Sequence, residues 1–287
     1  MPNWILSSND LAGTHVTDLC VRSGSSGSYC DGCVHTGIRT RAGTLRLRWW
    51  SAVTALAASR WPEVAADAVL VVPVGSVEQH GPHLPLDTDT RLAAAVGFVV
   101  AQGVSRAVLA PAVSYGASGE HEGFPGTVSL GAEALHQVLV ELGRSAFRWA
   151  ERLVFVNGHG GNAPTVIRAV QLLRYEGWDV AWWPCAVPRT PAHEPDAHAG
   201  RTETSLMLHL DPAAVRLDLA AAGDLRSMTE LMPALRRGGV AAVSPNGVLG
   251  DPTESSAKEG QQLMAELTAR ATAAVVAWAP AANGMLA

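Results

Sequence analysis

From Trp49 onward, short apolar runs closed by Gly or Pro alternate with longer stretches in which apolar residues recur every three or four positions. The runs Ala68–Val74, Ala107–Val113, Leu153–Asn157 and Asp179–Trp183 have the length of buried strands, and helical periodicity is expected over 90–103, 131–150, 162–176 and 201–209. A last helix is expected near 256–278, where Ser256-Ala257-Lys258-Glu259 has the spacing of a capping box. Apolar strands alternating with helices predict an α/β protein, a three-layer α/β/α sandwich around a mostly parallel sheet. Ligands in such sheets bind outside the carboxyl ends of the strands. The polar residues that follow these runs therefore fall where chemistry is expected.

Residues 1–48 break the pattern. They are rich in Ser, Gly, Thr and Arg with almost no apolar periodicity, so burial there cannot offset the entropy of ordering. Cys20, Cys30, Cys33 and His35 lie close enough to suggest a small zinc knot. The composition argues instead for a disordered extension preceding one catalytic domain over 49–287. With 287 residues and 48% hydrophobic content, the chain can bury one large core. A formal net charge of −5 provides no basic stripe for nucleic acid. Apolar runs such as Ala271–Ala279 fall short of the roughly 20 residues that cross a bilayer, and Met1–Asp10 lacks a secretory pattern. A cytoplasmic protein is expected, and nine tryptophans with apolar helices point to a homo-oligomer.

Two histidines and three carboxylates crowd the turn-rich stretch Glu78-Gln79-His80-Gly81-Pro82-His83-Leu84-Pro85-Leu86-Asp87-Thr88-Asp89. Carboxylate and imidazole donors without a thiolate suit Zn²⁺, Mn²⁺ or Fe²⁺, and a shared aspartate commonly holds two such ions together. In an extended segment Glu78 and His80 project to one face and Gln79 points away. Asp89 stands where it could cap the helix that follows. A cap explains neither Glu78 nor His80, so the set reads as metal ligands, with His83 and Asp87 supporting or structural.

Three further segments carry polar chemistry. In Asn157-Gly158-His159-Gly160-Gly161-Asn162-Ala163 a strand runs into a glycine-rich turn with His159 at its centre. The same letters satisfy a dinucleotide fingerprint, which would make the chain a nucleotide-binding module. The histidine in the turn, and Asp179 at the start of the next strand rather than its end, argue against that. Asp196-Ala197-His198-Ala199-Gly200-Arg201-Thr202-Glu203 places Glu203 in the first turn of a helix, where the helix dipole alone would favour it. With His198 five residues earlier, the pair suggests one more ligand and one proton carrier. The loop from Tyr115 to Thr127, containing Glu120 and His121, is either a solvated loop or an active-site rim. His136 and His209 sit on helical patterns and read as packing residues.

Together these segments resemble the creatininase family of metal-dependent amidohydrolases, over about Ala68 to Ala279. The resemblance implies metal binding by Glu78, His80, Asp89 and His159. It also matches a later H-x-G-x-x-E-T-S motif to His198, Gly200, Glu203, Thr204 and Ser205, which makes His198 the proton carrier. Within the family the chain is most similar to the mycofactocin-maturation branch, through the 78–91 stretch, Tyr115-Gly116-Ala117-Ser118-Gly119-Glu120-His121 and the ending Gly284-Met285-Leu286. That branch implies a peptidase removing a short C-terminal piece from a ribosomally made, radical-modified precursor peptide. Another reading is a small-molecule amidohydrolase acting on a cyclic amide or formamide. One position departs: creatininases carry a glutamate ligand two residues after the N-G-H histidine, and here it is Gly161. Either Glu203 supplies that carboxylate or the second of two expected ions binds weakly or not at all.

Overall fold

The computed structural model describes residues 54–189 and 195–287. The expected extension over 1–48, with its cysteine and histidine cluster, lies outside the described residues. Five strands, β1 (Thr54–Ala55), β2 (Ala68–Val74), β3 (Ala107–Leu109), β4 (Ala150–Asn157) and β5 (Val180–Pro184), form one all-parallel sheet in the order β1-β3-β2-β4-β5. The helices are α1 (Thr88–Gly103), α2 (Ala132–Ala146), α3 (Ala163–Tyr175), α4 (Arg201–Leu210), α5 (Met228–Gly238) and α6 (Ala257–Ala277).

Alternation along the strands sorts their side chains to two faces. Val71, Val154, Val156, Ala181 and Trp183 meet α1, α4 and α6, whereas Leu70, Val72, Val74, Leu153, Phe155 and Trp182 meet α2 and α3. Each strand is apolar on both sides because each side is covered. Helix α6 buries Gly260, Leu263, Met264, Leu267, Ala271, Ala274 and Val275, a helical stripe, and a Cβ on Gly260 would lie against the Ser205 carbonyl. Glycine is what lets α6 cross α4 so closely.

Several expected boundaries move. The run 107–113 is strand only to Leu109; beyond it Val113 makes an isolated bridge with Val74. The helix expected to reach 150 ends at Ala146, and Ala150 already pairs with Ala68 in the sheet. Helix α5 and the two-residue β1 were not expected. A signal for α5 is present in Ser227 and Glu230, which form a full capping box. The box expected at Ser256 is half made. The Ser256 hydroxyl accepts from the Glu259 N–H, while the Glu259 carboxylate turns to Arg201 and Ser205. Gly284 and Leu286 hydrogen-bond to Trp182 and cover the edge of β5.

β2 and β4 are adjacent and in register at Val74 and Asn157, yet the helices after them lie on opposite faces. Connections that diverge from neighbouring strands open a crevice at their carboxyl ends. The loops Gly75–Asp87 and Gly158–Asn162 leave from that crevice.

Candidate metal centre

Two glycines bring the loops together. A Cβ on Gly158 would lie 2.3 Å from the Asp89 carbonyl oxygen, and one on Gly75 would collide with the backbone of Thr90. Because both positions lack one, the first turn of α1 sits directly over the turn after β4. Asp89 is therefore not the helix cap; Asp87 holds that position, and Asp89 is inside α1 with its carboxylate turned inward. Asn162 locks the arrangement by accepting from Ala117 N–H at 2.8 Å and donating to the Gly75 carbonyl at 2.9 Å.

The histidines share one arrangement. His80 Nδ1–H donates to the Glu78 carbonyl at 3.1 Å, which leaves Nε2 facing Asp89 Oδ1 at 3.2 Å and Glu203 Oε2 at 3.9 Å. His159 Nε2–H lies 3.3 Å from the Ala117 carbonyl and 3.3 Å from Glu120 Oε1, so Nδ1 faces Glu78 Oε1 and Asp89 Oδ2, each at 3.2 Å. His198 Nε2–H donates to the Gln79 carbonyl at 2.8 Å, and its Nδ1 is 3.9 Å from Glu78 Oε1. In each ring the outer nitrogen is held by backbone and the inner one looks at carboxylates. A lone pair facing a carboxylate is repulsive unless a cation lies between them, and outer-nitrogen anchoring is how ligand histidines are oriented.

Burial and charge agree with a cation. Glu78 is fully buried and, although imidazole nitrogens approach it, neither carboxylate oxygen makes an aligned hydrogen bond. Such a charge is costly to leave uncompensated. Burial opposes protonation of His80, yet the charge and hydrogen bond of Asp89, with Glu203 and Glu78, push its pKa up to about 10. His159 is likewise raised well above its ordinary value, against burial, by the carboxylates of Asp89 and Glu120 and by the charge of Glu78. Burial raises Glu203 to about 7, with Asp89 and Asp196 adding to it and the His80 charge opposing. His198 is held well below the usual imidazole value by burial and by the neighbouring His80 and His121. The pocket attracts positive charge at the carboxylates and keeps His198 neutral.

Three groups of side chains converge closely enough to hold an ion: Glu78, Asp89 and His159; His80, His198 and Glu203; and Glu78, His121 and His198. All six residues singled out in the sequence lie in this one cluster. His121 joins them although the sequence placed it only on a rim loop; it is buried, with Nε2 3.3 Å from Glu78 Oε1. Gln79 does not simply point away. Its buried amide nitrogen lies 2.9 Å from His121 Nδ1 and 3.0 Å from the Gly247 carbonyl, so its two N–H groups have two acceptors. That bond leaves the His121 proton on Nε2, facing Glu78. Ala199, next to His198, adopts φ 52°, and its N–H donates to Glu203 Oε2 at 2.6 Å. This left-handed turn orients the histidine and the glutamate at once.

The remaining expectations resolve differently. His83 is buried and bonds Thr204 Oγ1 at 2.9 Å, and Asp87 pairs with Arg91, both structural roles. His136 is half-buried, but His209 is exposed rather than packed. Gly158 is closed over by Asp89 and Gly161 by Glu120 and His159, so the cluster itself occupies the space above both glycines.

An all-parallel sandwich with a buried carboxylate and imidazole cluster at the diverging strand ends defines a hydrolase of the metal-dependent amide-cleaving class. The family profile described as creatinine amidohydrolase matches residues 57–275, and the chain belongs to the creatininase family. The chain is 55% identical over 223 residues, 76% of its own length and 88% of the relative's, to a protein of Mycolicibacterium smegmatis named mycofactocin precursor peptide peptidase. It is also similar to a solved structure titled creatininase Mn, with TM-score 0.69 and 28% identity, covering 79% of this chain and all of that one. A mutant creatininase of Zn-Zn type superposes with TM-score 0.68 at 28% identity, covering 79% of this chain and 98% of that one. Among the described residues no helix is long and apolar enough to cross a membrane.

Proposed function

We propose that the chain is a peptidase acting on a mycofactocin precursor peptide and releasing a short C-terminal piece. The name of the 55% identical relative supports the substrate, and the inward-facing imidazole nitrogens opposite Glu78 and Asp89 support the metal. Two divalent ions, Zn²⁺, Fe²⁺ or Mn²⁺, suit the donor set: Glu78, Asp89 and His159 around one, and His80, Asp89 and Glu203 around the other. Glu203 stands in for the carboxylate absent at Gly161. Its 3.9 Å approach to His80 Nε2 supports that role.

Ions bound there supply Lewis acidity toward a carbonyl and make water acidic enough to serve as nucleophile near neutral pH. The amide C–N bond breaks, the water oxygen joins the acyl carbon, and a proton must reach the leaving nitrogen. His198 is suited to carry it. Its Nε2–H is anchored on Gln79 and its neutral Nδ1 faces the cluster, free to take a proton and pass it on. Residues 49–287 are the catalytic domain in this reading, and the family match to 57–275 supports it. Exposed Trp61, Tyr175 and Leu225 support self-association, and a ribosomally made substrate supports a cytoplasmic setting.

Mass spectrometry of the precursor peptide incubated with native, chelated and metal-restored protein tests the proposal. The C-terminal piece should appear only with metal. Turnover of creatinine in place of the peptide would overturn it in favour of the small-molecule reading.

A further inference from the structure

Next to the cluster lies a cavity of about 360 Å³, walled by Glu120, Leu235, Arg236 and Arg237 and floored by glycines, among them Gly119 and Gly239. Glu120 belongs to both places, since its Oε1 is 3.3 Å from His159 Nε2. The far wall is held against it. Gly239 ends α5 at φ 66°, and a Cβ there would lie 2.5 Å from the Glu120 carbonyl oxygen. A second cavity of about 460 Å³ offers only Asp224 as a charged group, and Asp224 is already paired with Arg226.

Arg236 and Arg237 are exposed and, among the described residues, form no ion pair. The arginines at 91, 144, 168, 201, 216 and 226 all have carboxylate partners. A helix C-terminus favours basic side chains. That preference accounts for charge at the end of α5, but not for a glycine-floored cavity one residue from a metal-ligand histidine.

The geometry points to Arg236 and Arg237 as the site that binds the free α-carboxylate of the peptide, so that the cavity holds the short C-terminal piece released by cleavage. This rests on the peptidase reading above. Arginine holds a carboxylate through two parallel hydrogen bonds, and the glycine floor leaves backbone open to an extended peptide. When the C–N bond breaks, the piece gains an amine that takes a proton. Glu120, on the cluster side of the cavity, is then beside the cationic end and the arginines beside the anionic end. The cavity is thus complementary to a short zwitterionic peptide.

The test compares precursor peptide ending in a free acid with the same peptide ending in a C-terminal amide, using the metal-loaded full chain. The native enzyme should favour the acid by roughly 10- to 100-fold in kcat/KM, mostly through KM, as expected for lost charge-assisted hydrogen bonds. In the doubly substituted Arg236→Ala/Arg237→Ala protein that ratio should fall toward one, and the Arg236→Gln/Arg237→Gln protein gives the same readout with the side-chain bulk kept. Equal cleavage of acid and amide by the native enzyme overturns the carboxylate site and leaves the peptidase reading intact. Cleavage of neither overturns the peptidase reading, and the carboxylate site with it. An undiminished preference in both double variants assigns the carboxylate to other residues and overturns the proposal.

Discussion

The carboxylate of Glu120 occupies the space that a side chain on Gly161 would enter: a Cβ there would lie 2.3 Å from Glu120 Oε1 and 2.4 Å from His159 Nε2. Glu120 and any side chain at 161 thus compete for the same space beside His159. Glu120 can swing aside, but His159 is pinned between Ala117 and the carboxylates. Gly161→Ala should therefore displace the imidazole and lower metal affinity and activity by roughly 10- to 100-fold, the range for a disturbed outer partner of a ligand. Glu120→Gln should lower affinity less, because the Ala117 carbonyl still accepts from Nε2. Elemental analysis after dialysis against graded free metal measures both, and unchanged occupancy in Gly161→Ala would remove His159 from the ligand set.

Metal uptake should release protons. In the metal-free protein the pKa of His80 stands at about 10 and that of His159 is raised. The His80 ring is protonated at neutral pH and gives up a proton before its inner nitrogen can bind an ion, and the upward shift of His159 acts in the same direction. Affinity should rise with pH and fall on acidification. Titration calorimetry in buffers of different ionisation enthalpy counts the protons, and a count of zero would contradict this charge assignment.

His198 and Glu203 should separate by phenotype. Glu203→Gln should lose part of the bound metal along with turnover. His198→Ala should retain metal and lose turnover by roughly 10²–10⁴-fold, the contribution of a positioned proton carrier. Because Glu203 also fixes Ala199 N–H, circular dichroism should accompany both variants. If Glu203→Gln keeps full occupancy while His198→Ala loses an ion, the two roles are exchanged.

Gln79→Glu removes both amide N–H groups without changing shape. It strands His121 Nδ1 and the Gly247 carbonyl opposite a carboxylate in a buried setting. Each stranded acceptor costs about 1–3 kcal/mol, and each kcal/mol lowers Tm by roughly 2–4 °C in a domain of this size. Differential scanning calorimetry reads the loss directly. A Tm equal to that of the native protein would mean the amide is not the donor assigned here.

Deleting residues 1–48 should leave metal content and peptide cleavage close to those of the full chain, since the family match begins at residue 57. A large fall in either would place part of the working domain in that segment.

Much of the candidate site was legible in the chain because its candidate ligands arrive in short local groups. Glu78 and His80 share a strand-like face, Asp89 follows within one loop, and His159 sits in a glycine turn whose composition announces close packing. His121 and Gln79 were not legible in the same way. His121 stands in a loop that could equally be solvated, and only Gln79, 42 residues away, shows that it is buried and which nitrogen carries its proton. Gln79 itself alternates with two candidate ligands, so periodicity assigned it to the opposite side. In a non-planar loop that side proved to be another wall of the same pocket. The missed α5 lacks the long apolar run by which elements are recognised, whereas the run 107–113 has one and still ends as strand at Leu109, two residues before Pro111.

What the chain determined by itself is the alternation of doubly apolar strands with amphipathic helices, and the choice of carboxylate and imidazole chemistry in the loops between them. Both follow from interactions local in sequence: side-chain period, turn residues and donor type. The tertiary structure alone decided which donors meet. β2 and β4 become neighbours although β3 lies between them in the chain, and their helices diverge to opposite faces, which opens the crevice. Glycines 75 and 158 then allow the two loops to touch. Whether Glu120 can fill the space above Gly161, and whether the end of α5 lines the same cavity as Glu120, depends on contacts between segments distant in the chain. Such contacts are fixed by packing of the whole core, which no local pattern encodes.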